Sequence, residues 1–172
     1  MAATYVRLAT LADLPQIMTI IAEAKELLKE DGSSQWQDGE PSRDTLQEDI
    51  HLQHCYLLVV GSQIAGVAAL VTEPDPNYQQ IAGEGWQKQG PYATIHRIAI
   101  SPSFKGQHLG RYFFSNLLTL AYQKGFRQMR IDTHEMNIRM QSLIQAFGFS
   151  YQGIIYVSPN PEGKRLAYEL SL

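Results

Sequence analysis

Apolar positions along the chain recur with a strand's period of two in some stretches and a helix's period of 3.6 in others, and that switching sets the element order. Tyr5-Val6-Arg7-Leu8 alternates as a short strand. Thr10 and Asp13 then supply N-cap chemistry, and Pro15 is tolerated only near a helix start. Leu14, Ile17, Met18, Ile21, Ala24 and Leu28 follow at helical spacing and predict an amphipathic helix ending before Gly32. Residues 31–43 are polar and rich in Gly, Ser and Pro, with Trp36 among them, and read as a loop; Arg43 to Leu52 reads as a second short helix. Tyr56 to Val60 and Gln63 to Thr72 are β-rich runs around Gly61-Ser62, a two-residue hairpin signal.

Pro74 to Gly90 carries no period and reads as a long irregular segment, of the length that in compact domains is functional or mobile. Ala93 to Ile100 is a strand stopped by Ser101-Pro102. Residues 107–124 form a helix with Gly110, Phe114, Leu117 and Ala121 on one face, ended by Gly125. Arg127 to Thr133 is a strand. Asn137 to Phe147 is a helix with Met140, Leu143, Ile144 and Phe147 at ideal spacing, capped by Gly148. Two strands near 149–157 and 164–171 close the chain. The order is β-α-α-β-β-β-α-β-α-β-β, with no repeat and no linker, which predicts one domain over residues 1–172 of α/β (mixed, α+β type) architecture.

Composition narrows the function classes. The chain has 172 residues, 44% hydrophobic and 18% charged, a globular balance. A net charge of −3 provides no global field for nucleic acid. The longest apolar stretches, such as Ile64 to Val71, fall far short of the roughly 20 residues that cross a bilayer. No basic region leads into a hydrophobic run at the N-terminus, and the one cysteine, Cys55, has no internal disulfide partner, so a reducing, cytoplasmic setting is expected.

The stretch with the most chemistry runs from Ile95 to Gly110. A strand stops at a proline, a glycine-containing loop follows, and a helix begins at once. The first N–H groups of a helix lack internal partners and carry its positive dipole end, so such a junction suits a pyrophosphate. Lys105 and Arg111 flank it, and glycines allow close backbone approach. The alternative is that Gly106 and Gly110 serve only a tight turn and helix packing.

The exit Ile98-Ala99-Ile100-Ser101-Pro102 with Lys105-Gly106-Gln107-His108-Leu109-Gly110 resembles motif A of the GNAT superfamily of N-acetyltransferases, usually Arg/Gln-x-x-Gly-x-Gly/Ala. The run Asn137 to Phe149, ending in Gly148-Phe149, resembles motif B. The resemblance extends to the element order over nearly the whole chain. It implies the GNAT fold, a central, mostly antiparallel, splayed sheet flanked by helices, with the strands around Ala99 and Ile131 parting. It also implies acetyl-CoA as the molecule bound. Main-chain groups of Ile98, Ala99 and Ile100 would pair with the pantetheine arm, the amides from Gln107 to Arg111 would hold the pyrophosphate, Asn137 would lie near the pantetheine or thiol, and an N–H near Ile98 would polarise the acetyl carbonyl. Three positions depart from the pattern. The usual central glycine is His108, compatible with the loop if its φ stays negative, the usual leading Arg or Gln is Lys105, and a tyrosine common in motif B is replaced by Ile144.

Direct transfer to an amine needs a base and then a proton for the thiolate. His96 lies beside the expected acetyl site, and histidine titrates near neutral pH. Strict alternation puts it on the face of Ile98 and Ile100, so a packed core histidine is the competing reading. Glu84, in the long segment, is a second candidate base. Tyr156 is a candidate replacement acid, or a packing residue. Trp36 and Tyr78, from two loops that could fold over the acetyl end, are candidates for the acceptor pocket. Arg97, on the other face, would pair with an acidic acceptor or form a structural salt bridge. A metal at His51, His54 and Cys55 lacks a fourth ligand.

Three functions stay open at this stage: acetyl transfer from acetyl-CoA to a primary amine of a small molecule or peptide, a non-catalytic acyl-CoA sensor, and a protein-directed acetyltransferase. A long closing segment over residues 73–91 favours a small acceptor. The apolar run Ile154-Ile155-Tyr156-Val157 wants cover, and a homodimer is one way to supply it.

Overall fold

A computed structural model describes residues 2–172. Its strands are β1 (Thr4–Leu8), β2 (Cys55–Val60), β3 (Gln63–Val71), β4 (Ala82–Gly83), β5 (Ala93–Ile100), β6 (Gln128–Thr133), β7 (Ser150–Tyr156) and β8 (Lys164–Ser171). The helices are α1 (Leu14–Glu30), α2 (Arg43–His51), α3 (Leu109–Gln123) and α4 (Ile138–Ala146). The eight strands form one sheet in the order β1-β2-β3-β5-β6-β8-β7-β4. Every neighbouring pair is antiparallel except β5 and β6, which run parallel because α3 crosses between them.

Both faces of the central strands are buried, so their side chains sort by alternation into two cores. Leu57, Val59, Val67 and Ala99 meet Ile17, Ile20 and Ile21 of α1 and Leu46 and Ile50 of α2. Tyr56, Leu58, Ile95, Met129 and Ile131 meet Phe113, Phe114 and Leu117 of α3 and Ile144 of α4. The local signals sit where periodicity puts them. Gly61, at φ 61°, opens the β2–β3 hairpin; Gly125, at φ 95°, ends α3; Gly148, at φ 81°, ends α4. At these positive φ values a Cβ is strained, which is why glycine stands there.

Two differences from the sequence expectation matter for function. First, residues 74–90 are not irregular throughout. Asp75 caps a 3-10 turn at Pro76–Tyr78, its Oδ1 accepting from the Asn77 N–H at 2.8 Å, and Ala82–Gly83 pairs with Gly153–Ile154 of β7. Gly153, at φ 147°, makes that pairing possible, because a Cβ there would fall on the Ala82 carbonyl oxygen. The segment covers β7 and buries Ile155 in a cluster with Tyr78, Tyr92 and Ala167, leaving Tyr156 and Val157 exposed. Two-residue strands leave no periodic trace, so this was invisible in sequence.

Second, β5 is bulged. His96 faces Ala69 and Ala99 faces Val67 across the β3–β5 ladder, so Ala68 stands opposite both Arg97 and Ile98. Arg97 takes φ 52° to absorb the extra residue. Beyond the bulge the alternation is inverted: Ile98 and Ile100 pack in the same core as Ile95, and Ala99 joins the opposite one. His96 therefore does not share a face with Ile98 and Ile100. It lies on the other side of the sheet, beside Asp75 and Tyr78.

Candidate active site

β5 and β6 pair only through Ala93 with Met129 and Thr94 with Arg130. From Ile95 onward the strands part and a cleft of about 870 Å³ opens between them. Ile98, Ala99 and Ile100 line it on one side and Asp132 and Thr133 on the other. The side of β5 that would have met β6 is left without a strand partner over these residues, so an extended amide-bearing arm can add there as a strand does.

Below this gap lies the loop into α3. The amides of Gly106, Gln107, His108, Leu109 and Gly110 donate to no group among the described residues; the first satisfied donor of the turn is Arg111, to the His108 carbonyl at 3.2 Å. These consecutive free donors stand at the positive end of α3, flanked by exposed Lys105 and Arg111. A Cβ on Gly106 or Gly110 would meet nothing within 4 Å, so the space above the loop is open. The set fits a pyrophosphate. His108 does not keep a negative φ. It sits at φ 54° as the N-cap of α3, in the left-handed region that the family's usual glycine adopts freely, and α3 begins only at Leu109.

At the opposite end of the cleft, His96 Nε2 lies 3.0 Å from Asp75 Oδ2, and both residues line the cavity. Burial pushes the Asp75 carboxyl up, but hydrogen bonds from His96 and the Asn77 N–H and the positive charge of Arg97 outweigh it, holding Asp75 below the ordinary carboxylate range. An ionised carboxylate only accepts, so Nε2 of His96 carries the proton of that bond, and Nδ1 of the neutral ring is the free base. Tyr78 does not line the cleft. It is fully buried behind His96 and donates to Asp132 Oδ2 at 2.7 Å. Burial, then the Asp132 charge and that hydrogen bond, push its phenol well above the ordinary range, so it stays a neutral donor that orients Asp132.

Arg97 lines the cleft but is already engaged. Its Nε and Nη2 donate to Asp49 Oδ2 and Oδ1 at 2.6 and 2.7 Å, tying the bulge to α2. Trp36, at φ 65°, lines the cleft from the 31–42 loop and packs against the α1–α2 core. That loop is fastened to the start of α4: Asn137 caps the helix with Oδ1 and donates from Nδ2 to Gln35 Oε1 at 3.3 Å. His134 Nδ1 accepts from the Met136 N–H, which leaves its proton on Nε2 to donate to Ser34 Oγ at 3.1 Å. Burial first, and the nearby Arg165 next, hold His134 below its ordinary value, so the neutral form that makes both bonds persists.

Ile144, at the position of the motif B tyrosine, is fully buried in the α3–α4 core and can donate nothing. Glu84 is exposed on the 74–90 segment and Tyr156 is 52% exposed on β7; neither lines the cleft. The β7–β8 register and the anchoring of β4 hold them outside it. In their place stand residues that no local pattern singled out: Asp75, Asp132, Thr133, Glu23 and Arg165. The Oε2 of Glu23 and the Oγ1 of Thr133 are buried without a partner. Among the described residues no group of three or more His, Cys, Asp or Glu side chains is placed to hold a metal; His54 pairs with Glu73 at 2.9 Å. Cys55 is buried, and burial pushes its thiol up to about 12, so it is no nucleophile.

Comparison with known proteins decides the family. The family model described as "Acetyltransferase (GNAT) family" matches residues 21–149, which hold the loop into α3, the splayed strands and α4. The chain belongs to the GNAT acetyltransferase family. A solved GNAT acetyltransferase from Streptococcus agalactiae 2603 is 32% identical, with a TM-score of 0.88, over 98% of this chain and 95% of that one. The uncharacterized N-acetyltransferase YesJ of Bacillus subtilis is 23% identical over 148 residues, 84% of this chain and 81% of its own. The Salmonella typhimurium protein yncA, solved with acetyl-CoA, shares the fold at 18% identity, with a TM-score of 0.68 and 99% of this chain covered. Proteins of the GNAT class thus bind acetyl-CoA, and the open eight-stranded sheet with its four helices is the GNAT fold. No helix of the described residues is long and apolar enough to cross a membrane.

Proposed function

We propose that the protein is a cytoplasmic N-acetyltransferase that passes the acetyl group of acetyl-CoA directly to a primary amine. The observation that carries this reading is the His96–Asp75 pair, set into the cleft where β5 and β6 part. The pyrophosphate would lie on the free amides from Gly106 to Gly110 with Lys105 and Arg111 beside it, and the pantetheine arm along Ile98 to Ile100. Asn137 would face its thiol end. The acceptor arrives as an ammonium, and His96 Nδ1 takes its proton. The amine nitrogen then attacks the acetyl carbonyl carbon, whose developing oxyanion meets the Ile98 N–H. The attacking nitrogen gives its second proton to water, the carbon–sulfur bond breaks, and the CoA thiolate leaves to be protonated from the imidazolium through water. No step is assigned to Glu84 or Tyr156, because both lie outside the cleft.

A small acceptor is favoured over a protein segment. The acceptor end is walled by the 31–42 loop, fastened through Gln35 and Ser34, and by the 74–90 segment, fastened through Tyr78 and Asp132. A sensor would need the same cofactor contacts but no base in the cleft. The test is CoA-thiol release against a panel of amines, with the His96→Asn and Asp75→Asn variants. His96→Asn is expected to lower kcat by about 10²–10⁴-fold with acetyl-CoA affinity unchanged, and Asp75→Asn to lower it less. No thiol release with any amine despite tight acetyl-CoA binding, or full activity in His96→Asn, defeats the catalytic reading.

A further inference from the structure

Three arginines line the cleft, and two of them are spoken for. Arg97 holds Asp49, and Arg139 holds Asp31 at 2.9 Å. Arg165, on β8, pairs with no carboxylate among the described residues. Its Nη1 donates to the Glu162 and Lys164 carbonyls, both at 2.8 Å, and these bonds fix the guanidinium plane. Among the described residues the Nε and Nη2 groups have no partner, and the residue, 9% exposed, lines the cleft. They are the same edge with which Arg97 grips Asp49, a side-on fork matched to the two oxygens of a carboxylate. Holding a cation in a largely buried place costs free energy unless an anion completes it.

The surroundings of that fork are acidic. Asp132, Asp38 and Glu162 all act on Arg165 through their charge, partly opposing the lowering that burial causes. Asp132 is turned away to the extent that its Oδ2 accepts from Tyr78, and Asp38 Oδ1 accepts from the Glu40 N–H. A plain anion would be drawn by Arg165 and repelled by these carboxylates. A plain amine would suit the carboxylates and leave the fork empty. A molecule carrying both charges close together satisfies both.

We infer that the acceptor is a zwitterion of the free α-amino acid class, its carboxylate gripped by Nε and Nη2 of Arg165 and its amine turned toward Asp132 and the His96–Asp75 pair. This rests on the transfer reading for its chemistry but not for its binding. Arg165 is a specificity residue: it holds the end of the acceptor that does not react, and so fixes the nitrogen that does.

The experiment compares, on the wild-type protein, amino acids with the amines formed by removing their carboxylate and with their uncharged amides. A charge-assisted pair of hydrogen bonds is worth about 10- to 100-fold, so kcat/KM for the acid should exceed that for the other two by that factor. The preference should collapse toward unity in Arg165→Gln and fall in Arg165→Lys, which keeps the charge and loses the fork. Retained CoA binding shows that each variant is folded. In parallel, the CoA-loaded protein is titrated calorimetrically with the amino acids. Equal rates for acid and decarboxylated amine overturn the inference while the transfer reading stands. Amino-acid binding that depends on Arg165, with no thiol release, leaves the inference standing and defeats transfer. A preference that survives in both variants also overturns it.

Discussion

Arg97 shows how much one residue can decide here. Its φ of 52° marks the bulge that turns Ile98 and Ile100 to the side opposite His96, and its guanidinium neutralises Asp49, which is 5% exposed. Removing one partner of a buried pair leaves the other uncompensated, so Arg97→Ala should cost about 3–5 kcal/mol in denaturant unfolding. A loss below about 1 kcal/mol would mean that the pair does not hold the bulge. A more exposed pair behaves differently. Arg7 holds Asp13 through bonds of 2.8 and 2.9 Å, which with the Thr10 N–H outweigh its burial and lower its carboxyl from 3.8 to about 2. A folded value below the unfolded one gives stability that is complete above pH 3.8 and lost as pH falls through about 2. Because the pair meets solvent, the amount is about 1 kcal/mol. Asp13→Asn should flatten the pH dependence of stability in that window alone. None of these pairings was legible in sequence, since residues 7 and 13, 49 and 97, or 75 and 96 are joined by no motif.

Elements were far more legible. The hairpin at Gly61-Ser62, the glycine stops of α3 and α4 and the strand–loop–helix run from β5 into α3 all follow from neighbours a few residues apart, which local chemistry governs. What failed were the features whose cause lies across the sheet: the bulge in β5, the two-residue β4, and the start of α3 at Leu109. Gly110 offers a test in which stability and function move in opposite directions. It lies inside the first turn of α3, and a Cβ there would meet nothing within 4 Å. Gly110→Ala should therefore raise the stability of the unliganded protein by about 0.5–1 kcal/mol. The same methyl would intrude on the space above the free amides and weaken acetyl-CoA binding. If thermal unfolding and calorimetry both improve, that space is not where the pyrophosphate lies.

The whole molecule is a sheet that stays joined at one end and parts at the other, and its cleft is assembled from segments spread between Glu23 and Arg165. A ligand bound across the parted strands ties the halves together only in the folded state. Acetyl-CoA at about 100 times its Kd should add about 2.7 kcal/mol and raise Tm by about 5–10 °C. No shift with millimolar acetyl-CoA would mean that the folded protein does not bind it, and the reading of the cleft as its site would fall. By itself the sequence determined the order of the helices and longer strands, the amphipathic faces, the turns and the glycine-containing loop before α3, because each is written in the period or chemistry of adjacent residues. The tertiary structure alone decided which side of β5 His96 takes, that Asp75 meets it, that Glu84 and Tyr156 stand outside, and that Arg165 keeps an open fork. Those outcomes depend on strand register and on contacts between distant residues, where a single inserted residue reverses every side chain that follows.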